Sequence, residues 1–458
     1  MGGLNTALLN AAGTLGVYDQ VFNVIENNVT NANTPGYVRQ DQSLVAGQFD
    51  PNAGVYGGVS AGPLVSARDP YLDQAVRNQT ERLGSVQQQA SDLSQVQSLF
   101  DTTGQTGVPG ALNAFFSAFS QLSVNPNDEP SRQNVLVAAQ NVAQQFNSNA
   151  QGLQQASNNV DTETTYTVNT INSLATQIAS INQQIGTTPD ASQNAGLDAQ
   201  LNNALDQLSQ YVNYTSIKNS NGTYNIYAGG QTPLVLNQQA LAISANVSGP
   251  QTVITDSKGN DITSELQNNG GSLGSELQTK NVTLAGYLSS LNSIAQSFAD
   301  AVNNQLSQGL DSTGNPPTLN LFQYNAAQGT AFTLSVPSTF TTANIAAASA
   351  GAPGGNGNAL AVAALANQPV LNGATVTQAY GNLGAQVGQD IATAQQETTA
   401  QQSLVDQAEQ NRSSASGVSL DTEATELIQF QQAYQAVGQL VATLNSLTQT
   451  VISMVQGT

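Results

Sequence analysis

The feature that most constrains this chain is an unbroken apolar seam near each of its ends. Leu4, Leu8, Ala11, Leu15, Tyr18, Phe22, Ile25, Val29 and Ala32 alternate spacings of four and three residues. That rhythm is the signature of a helix that lays one edge against another helix. Leu427, Phe430, Tyr434, Val437, Val441 and Leu444 repeat it near the other end, and a second row, Ala433, Leu440, Leu447 and Met454, recurs every seventh residue on a neighbouring face. Two apolar stripes on one helix predict more than one neighbour. Ser419 reads as the N-cap of this last helix, with Asp421, Glu423 and Glu426 where the positive end of the helix dipole favours them. Periodicity alone leaves open whether each seam closes within the chain or against another molecule.

Charge cannot substitute for that burial. Only 8% of the 458 residues are charged, against about 25% in an ordinary globular chain. The exposed side of the first seam carries just Asp19 and Glu26, so helix-surface ion pairs have little to work with. The balance is acidic, with 29 Asp and Glu against nine Lys and Arg and a net charge of −20. With no basic stripe, the sequence predicts neither nucleic acid nor an anionic membrane as partner. No Cys, His or Trp is present. Thiolate nucleophiles, disulfides, structural zinc sites and the commonest general base are therefore unavailable. The opening residues lack the basic and apolar regions of a cleavable secretory signal, and no apolar run is long enough to span a bilayer.

Between the two seams the period changes twice. Leu72, Val76, Leu83, Val86, Ala90, Leu93 and Phe100 hold coiled-coil spacing after a Gly/Pro-rich segment from Phe49 to Pro70. A short aromatic helix follows around Leu112, Phe115, Phe116, Phe119 and Leu122, stopped by the prolines of Asn125 to Pro130. A very long helix is then expected from Ser131 to about Ile185. From Tyr211 to about residue 270 the pattern alternates in strand fashion, as in Thr223 to Tyr227, with hairpin turns at Asn221-Gly222 and Asp256 to Asn260. Helical spacing returns at Leu284 to Val302 and from Val376 to Leu404, around a loop-rich stretch, 308–372, with one expected strand at Phe332 to Val336.

The resulting expectation is an α+β fold, mainly α: elongated, nested helical bundle and coiled-coil domains carrying a small all-β insert. Its expected divisions are a terminal helical domain of 1–48 plus 416–458, a long-helix bundle of 49–210 plus 273–415, and a β domain of 211–272. No constellation for catalysis, cofactor or metal emerges. Asp256 to Glu265 has some of the look of a calcium loop, but Lys258 falls at a ligand position, so a hairpin turn is the better reading. Asp311 to Gly314 reads the same way, and Ser216-Ile217-Lys218 lacks the spacing of a Ser/Lys nucleophile.

One segment is informative beyond its period. Asn31-Ala32-Asn33-Thr34-Pro35-Gly36-Tyr37, following Asn27 to Thr30, is physically a helix stop, a turn and an extended start. It resembles the signature after the first helix of the flagellar rod/hook axial protein family. Gly417 to Ala436 resembles the corresponding C-terminal segment of that family's hook-associated branch, flagellar hook-associated protein 1 (FlgK), and the long inner helices favour the same branch. The resemblance implies a structural, non-enzymatic subunit without cofactors, exported by the flagellar type III route and secreted to the hook–filament junction of the extracellular flagellum. Its implied partners are copies of itself in a ring or helical assembly, hook protein, the neighbouring junction protein and an export chaperone. The implied packing residues are Leu4, Leu8, Leu15, Phe22, Ile25 and Val29 with Leu427, Phe430, Tyr434, Val437, Val441 and Leu444. The alternatives are a hook or other axial subunit, and a secreted adhesin or enzyme carried on coiled-coil stalks.

Overall fold

A computed structural model describes residues 2–50, 55–100, 105–187, 194–268 and 270–456. The chain opens with helix α1 (Gly2–Thr30), followed by a ribbon of β1 (Gln40–Ala46), β2 (Phe49–Asp50), β3 (Val55–Tyr56) and β4 (Val59–Ser66). Four helices come next: α2 (Pro70–Ser94), α3 (Gly107–Val124), α4 (Glu129–Thr187) and α5 (Ala195–Tyr211). Strands β5 (Tyr214–Lys218), β6 (Tyr224–Ala228), β7 (Thr232–Leu236) and β8 (Gln239–Ala240) form one antiparallel sheet in that order. Then β9 (Ser244–Asn246) and β10 (Val253–Thr255) pair, and α6 (Thr263–Gln267), α7 (Gly271–Gln278), a π-helical turn (Thr279–Leu284) and α8 (Ala285–Ser307) follow. After β11 (Gly309–Leu310), α9 (Thr330–Thr333), β12 (Ala348–Ser349) and α10 (Gly357–Ala364), the chain closes with α11 (Val376–Ser416) and α12 (Leu420–Gln456). The fold is mainly α with small antiparallel sheets.

Local chemistry explains where the long helices begin. Asp128 accepts the Ser131 amide at 3.0 Å, capping α4, and Pro130 occupies the first turn, where its missing N–H costs nothing. Asn194 caps α5 by accepting the Gly196 and Leu197 amides. Ser419 caps α12, with its hydroxyl 3.4 Å from the Thr422 amide.

Two compact units result: 1–83 with 169–243 and 401–458, and 84–168 with 244–400. Their borders run through α2, α4 and α11, and the four-stranded sheet belongs to the first unit and the β9–β10 hairpin to the second.

In the second unit, helices α3, α4 and α8 with the 308–372 segment bury Phe115, Phe119, Phe146, Phe298 and Phe322 completely or nearly so. Phe298 lies 5.0 Å from Phe322 and 5.3 Å from Phe115 between ring centroids, tilted or edge-on, the geometry aromatic quadrupoles prefer. Tyr380 is fully buried too, its hydroxyl accepting from Asn149 at 2.6 Å and donating to the Leu99 carbonyl at 3.2 Å. The strand expected at Phe332 to Val336 is absent as such: Thr330–Thr333 is a single helical turn, and only Ser335 forms a strand-like bridge, to Gln323. The apolar alternation there reflects burial of Leu334 in this core, with Phe332 and Val336 packed against it, rather than a sheet.

The first unit buries Ile171, Ile178 and Ile181 of α4, Leu197, Leu201, Leu205 and Leu208 of α5, and Ile226 and Leu234 of the sheet, and Asn182 ties α4 to the sheet by donating to the Tyr224 and Asn237 carbonyls. Beside that core lies a network of alternating charge. Arg68 meets Asp198 at 2.7 Å and Asp73 at 3.0 Å, Arg77 meets Asp206 at 2.8 Å, and Arg412 meets Asp206 at 2.7 Å. Three of the six arginines are thus spent joining α2, α5 and α11.

Candidate assembly site at the first and last helices

Helices α1 and α12 pack together, and the last turn of α1 lies beside the first turn of α12, so they run antiparallel. Tyr18 faces Phe430 and Phe22 faces Tyr434, each pair with ring centroids 5.8 Å apart and tilted planes. The seam residues Leu427, Phe430, Tyr434, Val437, Val441 and Leu444 are all half-buried. No apolar residue of α12 reaches full burial, and Glu423 is its one buried side chain among the described residues. The second row stays open: Leu440 is 50% exposed, Leu447 49% and Met454 68%.

On α1 the covered face differs from the sequence seam. Ala11, Thr14, Val17, Val21, Ile25 and Asn28 are buried, whereas Leu4, Leu8, Leu15 and Phe22 are half-buried and Val29 is 46% exposed. The reason is the ribbon, which packs on α1 and shields a side of the helix that periodicity assigns to the edge of the seam. The ribbon itself is an extended continuation of the motif, and nothing in its Gly/Pro-rich composition announced strands.

The motif closes α1 with a tight turn. The Tyr37 amide donates to the Thr34 carbonyl at 3.1 Å across Pro35-Gly36, and Gly36 has φ of +77°. This is a type II turn, with proline and glycine at the two positions that need them. A Cβ at Gly36 would also collide with the Ala199 carbonyl of α5. Asn31 and Thr34 brace the turn from within, the Asn31 amide donating to Asn27 and the Thr34 hydroxyl to Asn31. Ala32 is half-buried, and Asn33 and Pro35 are exposed. Arg68 donates to the Gly36 carbonyl at 2.5 Å, tying the turn to the charge network.

Behind the turn sits Asn28, 1% exposed, with every hydrogen-bonding position occupied. Its amide donates to the Gln40 carbonyl at 2.9 Å and to Glu423 Oε2 at 3.1 Å. Its carbonyl accepts from the Tyr37 hydroxyl at 2.9 Å and the Gln40 amide at 3.0 Å. Burial pushes the Glu423 carboxyl above the ordinary carboxylate range despite the Asn28 bond, which lowers it. Burial, with the Glu423 charge nearby, likewise raises the Tyr37 phenol. Glu423, read from sequence only as an acid that the helix dipole favours, is also a buried link between the first helix, the motif and the last helix. What the arrangement can do is fix two helices and present their open faces.

The sequence model of the flagellar hook-associated protein FlgK helical domain matches residues 93–322, and that of the flagellar basal body rod FlgEFG protein C-terminal region matches 409–454. Flagellar hook-associated protein 1 of Bacillus subtilis (strain 168) is 29% identical over 494 aligned positions, covering 97% of each chain. The protein of the same description from Escherichia coli (strain K12) is 28% identical over 253 residues, covering 53% of this chain and 45% of its own. Among solved structures, the flagellar hook junction protein FlgK from Burkholderia pseudomallei superposes with a TM-score of 0.67 at 18% identity, covering 75% of this chain and all of that one. At that identity the likeness is one of fold.

Proposed function

The chain belongs to the FlgK family of flagellar hook-associated proteins, and from that premise we propose that it is a structural subunit of the hook–filament junction that assembles through α1 and α12. The observation that carries this reading is the state of α12: a seam half-covered by α1, and a second apolar row, Leu440, Leu447 and Met454, facing outward. Fully burying one aliphatic side chain contributes about 1.5–3 kcal/mol, so a row of them supplies a substantial drive toward a neighbour. In this reading Leu4, Leu8, Leu15, Phe22, Ile25 and Val29 pack with Leu427, Phe430, Tyr434, Val437, Val441 and Leu444 within the subunit and across to adjoining copies. Hook protein lies on one side and the neighbouring junction protein on the other, and an export chaperone attends the open stripe before assembly. The subunit works outside the cell, after export, and its role is structural rather than catalytic.

A hook or rod subunit is the nearest alternative, because the match over 409–454 is to a region described for rod proteins. The helical-domain match over 93–322 favours the hook-associated reading. Imaging cells that lack this chain separates them. Loss of a junction subunit leaves hooks that bear no filaments, and loss of a hook subunit leaves no hooks. Normal filaments in such cells would refute both.

A further inference from the structure

Three carboxyl groups meet inside the second unit, with no cation paired to any of them among the described residues. Asp92 of α2 and Glu276 of α7 are fully buried, and Glu163 of α4 is partly so. The Gln88 amide nitrogen donates to Asp92 Oδ1 at 2.8 Å and to Glu163 Oε2 at 2.6 Å, which draws two acid groups onto one donor. The Thr167 hydroxyl donates to Glu276 Oε1 at 2.6 Å. Among the described residues no N–H or O–H group bonds Asp92 Oδ2 or Glu276 Oε2, although both atoms are buried.

The nearest candidate counter-ion is committed elsewhere. Lys280, in the π-helical turn that follows α7, is 4% exposed and bonds Asp161 of α4 at 2.5 Å, while the Thr252 hydroxyl occupies the other Asp161 oxygen at 2.6 Å. Of the other charged groups on neighbouring elements, Glu265 on α6 is half-buried, Asp390 on α11 bonds Tyr287, and Glu397 on α11 is exposed. The arginines on the same helices are engaged or placed elsewhere: Arg132 of α4 donates to the Pro126, Thr342 and Ile345 carbonyls, and Arg77, bonded to Asp206, and the exposed Arg82 lie on the part of α2 that belongs to the first unit.

An ionised carboxylate held in low dielectric without a cation costs several kcal/mol, and two close together repel as well. A buried oxygen with no donor is satisfied if it carries the proton itself. We propose that Asp92, Glu163 and Glu276 form a proton-held lock: Asp92 and Glu276 are neutral acids in the folded protein, Asp92 gives its hydrogen bond to Glu163, and removing these protons loosens the packing of α2, α4 and α7. Burial first, then the hydrogen bond and charge of Glu163, push the Asp92 carboxyl to about 9, and burial pushes Glu276 to about 8.

The sign follows from proton counting. The unfolded chain releases both protons near the ordinary carboxylate range, whereas the folded protein keeps them until about 8 to 9. Between those limits folding binds protons, so the stabilisation is complete in acid and shrinks by about tenfold in the folding constant per pH unit for each group. It is gone once the pH passes the folded values.

Urea unfolding of the full chain, followed by far-ultraviolet circular dichroism at several pH values from about 6 to 9, tests this. The wild type is expected to lose stability steeply with rising pH, and the Asp92→Asn/Glu276→Gln double variant to lose at least about tenfold less in folding constant per pH unit. Parallel pH profiles for the two proteins would overturn the proposal. Should the double variant fail to fold, infrared spectroscopy of the native protein decides. A carboxylic-acid carbonyl band present at neutral pH and fading in alkali supports the lock, and absence of that band at neutral pH overturns it.

Discussion

Asn28 and Glu423 stand 395 positions apart in the chain and share a buried hydrogen bond of 3.1 Å. That bond joins the last turn of α1 to the first turn of α12, and Asn28 extends it to Tyr37 and Gln40. Replacing Asn28 by alanine strands the Gln40 backbone groups, the Tyr37 hydroxyl and a Glu423 oxygen together, so Asn28→Ala is expected to destabilise the first unit by about 2 kcal/mol or more. Thermal unfolding of the variant checks it. A shift no larger than that of an exposed control such as Asn33→Ala would contradict the role given to Asn28.

Glu423 sets a pH dependence in the same unit. Its folded carboxyl sits above the ordinary range because it is buried. The unfolded chain therefore ionises first, and the stabilisation is complete in acid and declines as pH rises through the ordinary range to the raised value. Glu423→Gln keeps an acceptor for Asn28 and removes the charge. Stability measured against pH is expected to fall less steeply in the variant than in the wild type.

Gly36 carries a backbone demand that alanine cannot meet cheaply. With φ of +77° and the Ala199 carbonyl in the way of a Cβ, Gly36→Ala combines strain with a collision. A loss of about 1–3 kcal/mol is expected, read from the urea midpoint. Gly13→Ala, on the open side of α1 with free space around its Cβ position, serves as control and is expected to be neutral or mildly stabilising.

The second unit depends on its aromatic core. Phe298 touches the rings of Phe115, Phe116, Phe146 and Phe322. Phe298→Ala is expected to cost about 3–5 kcal/mol in unfolding measurements, the range for emptying a buried phenylalanine site.

Hydrogen exchange in dilute protein should separate the two kinds of helix. α12 has no fully buried apolar side chain, whereas residues 108–160 line a closed core. Amides of 420–456 are expected to exchange well before those of 108–160. Equal protection would mean that α12 is already satisfied without a neighbour.

Much of this was legible in the sequence because period and burial agree along single helices. The long helix through Ile171, Ile178 and Ile185, the aromatic helix at Phe115 to Leu122, the Asn221-Gly222 turn and the open row at Leu440 and Leu447 all follow from residue spacing. What escaped depends on distant residues meeting. Asn28 and Glu423 are ordinary polar residues on helix ends until the fold buries them together beside Gln40, and β1 and β4, which pack on α1, have no alternating apolar signal. Asp92, Glu163 and Glu276 likewise come from three separate helices. The strand expected at Phe332 to Val336 failed because a short apolar run has the same pattern whether sheet or core receives it.

The most direct test of the assembly role is an image of the hook–filament junction at side-chain resolution. This chain is expected between hook and filament, with Leu440, Leu447 and Met454 of α12 buried against adjoining subunits. Finding the chain there with that row facing solvent, or finding the junction built without it, would contradict the account.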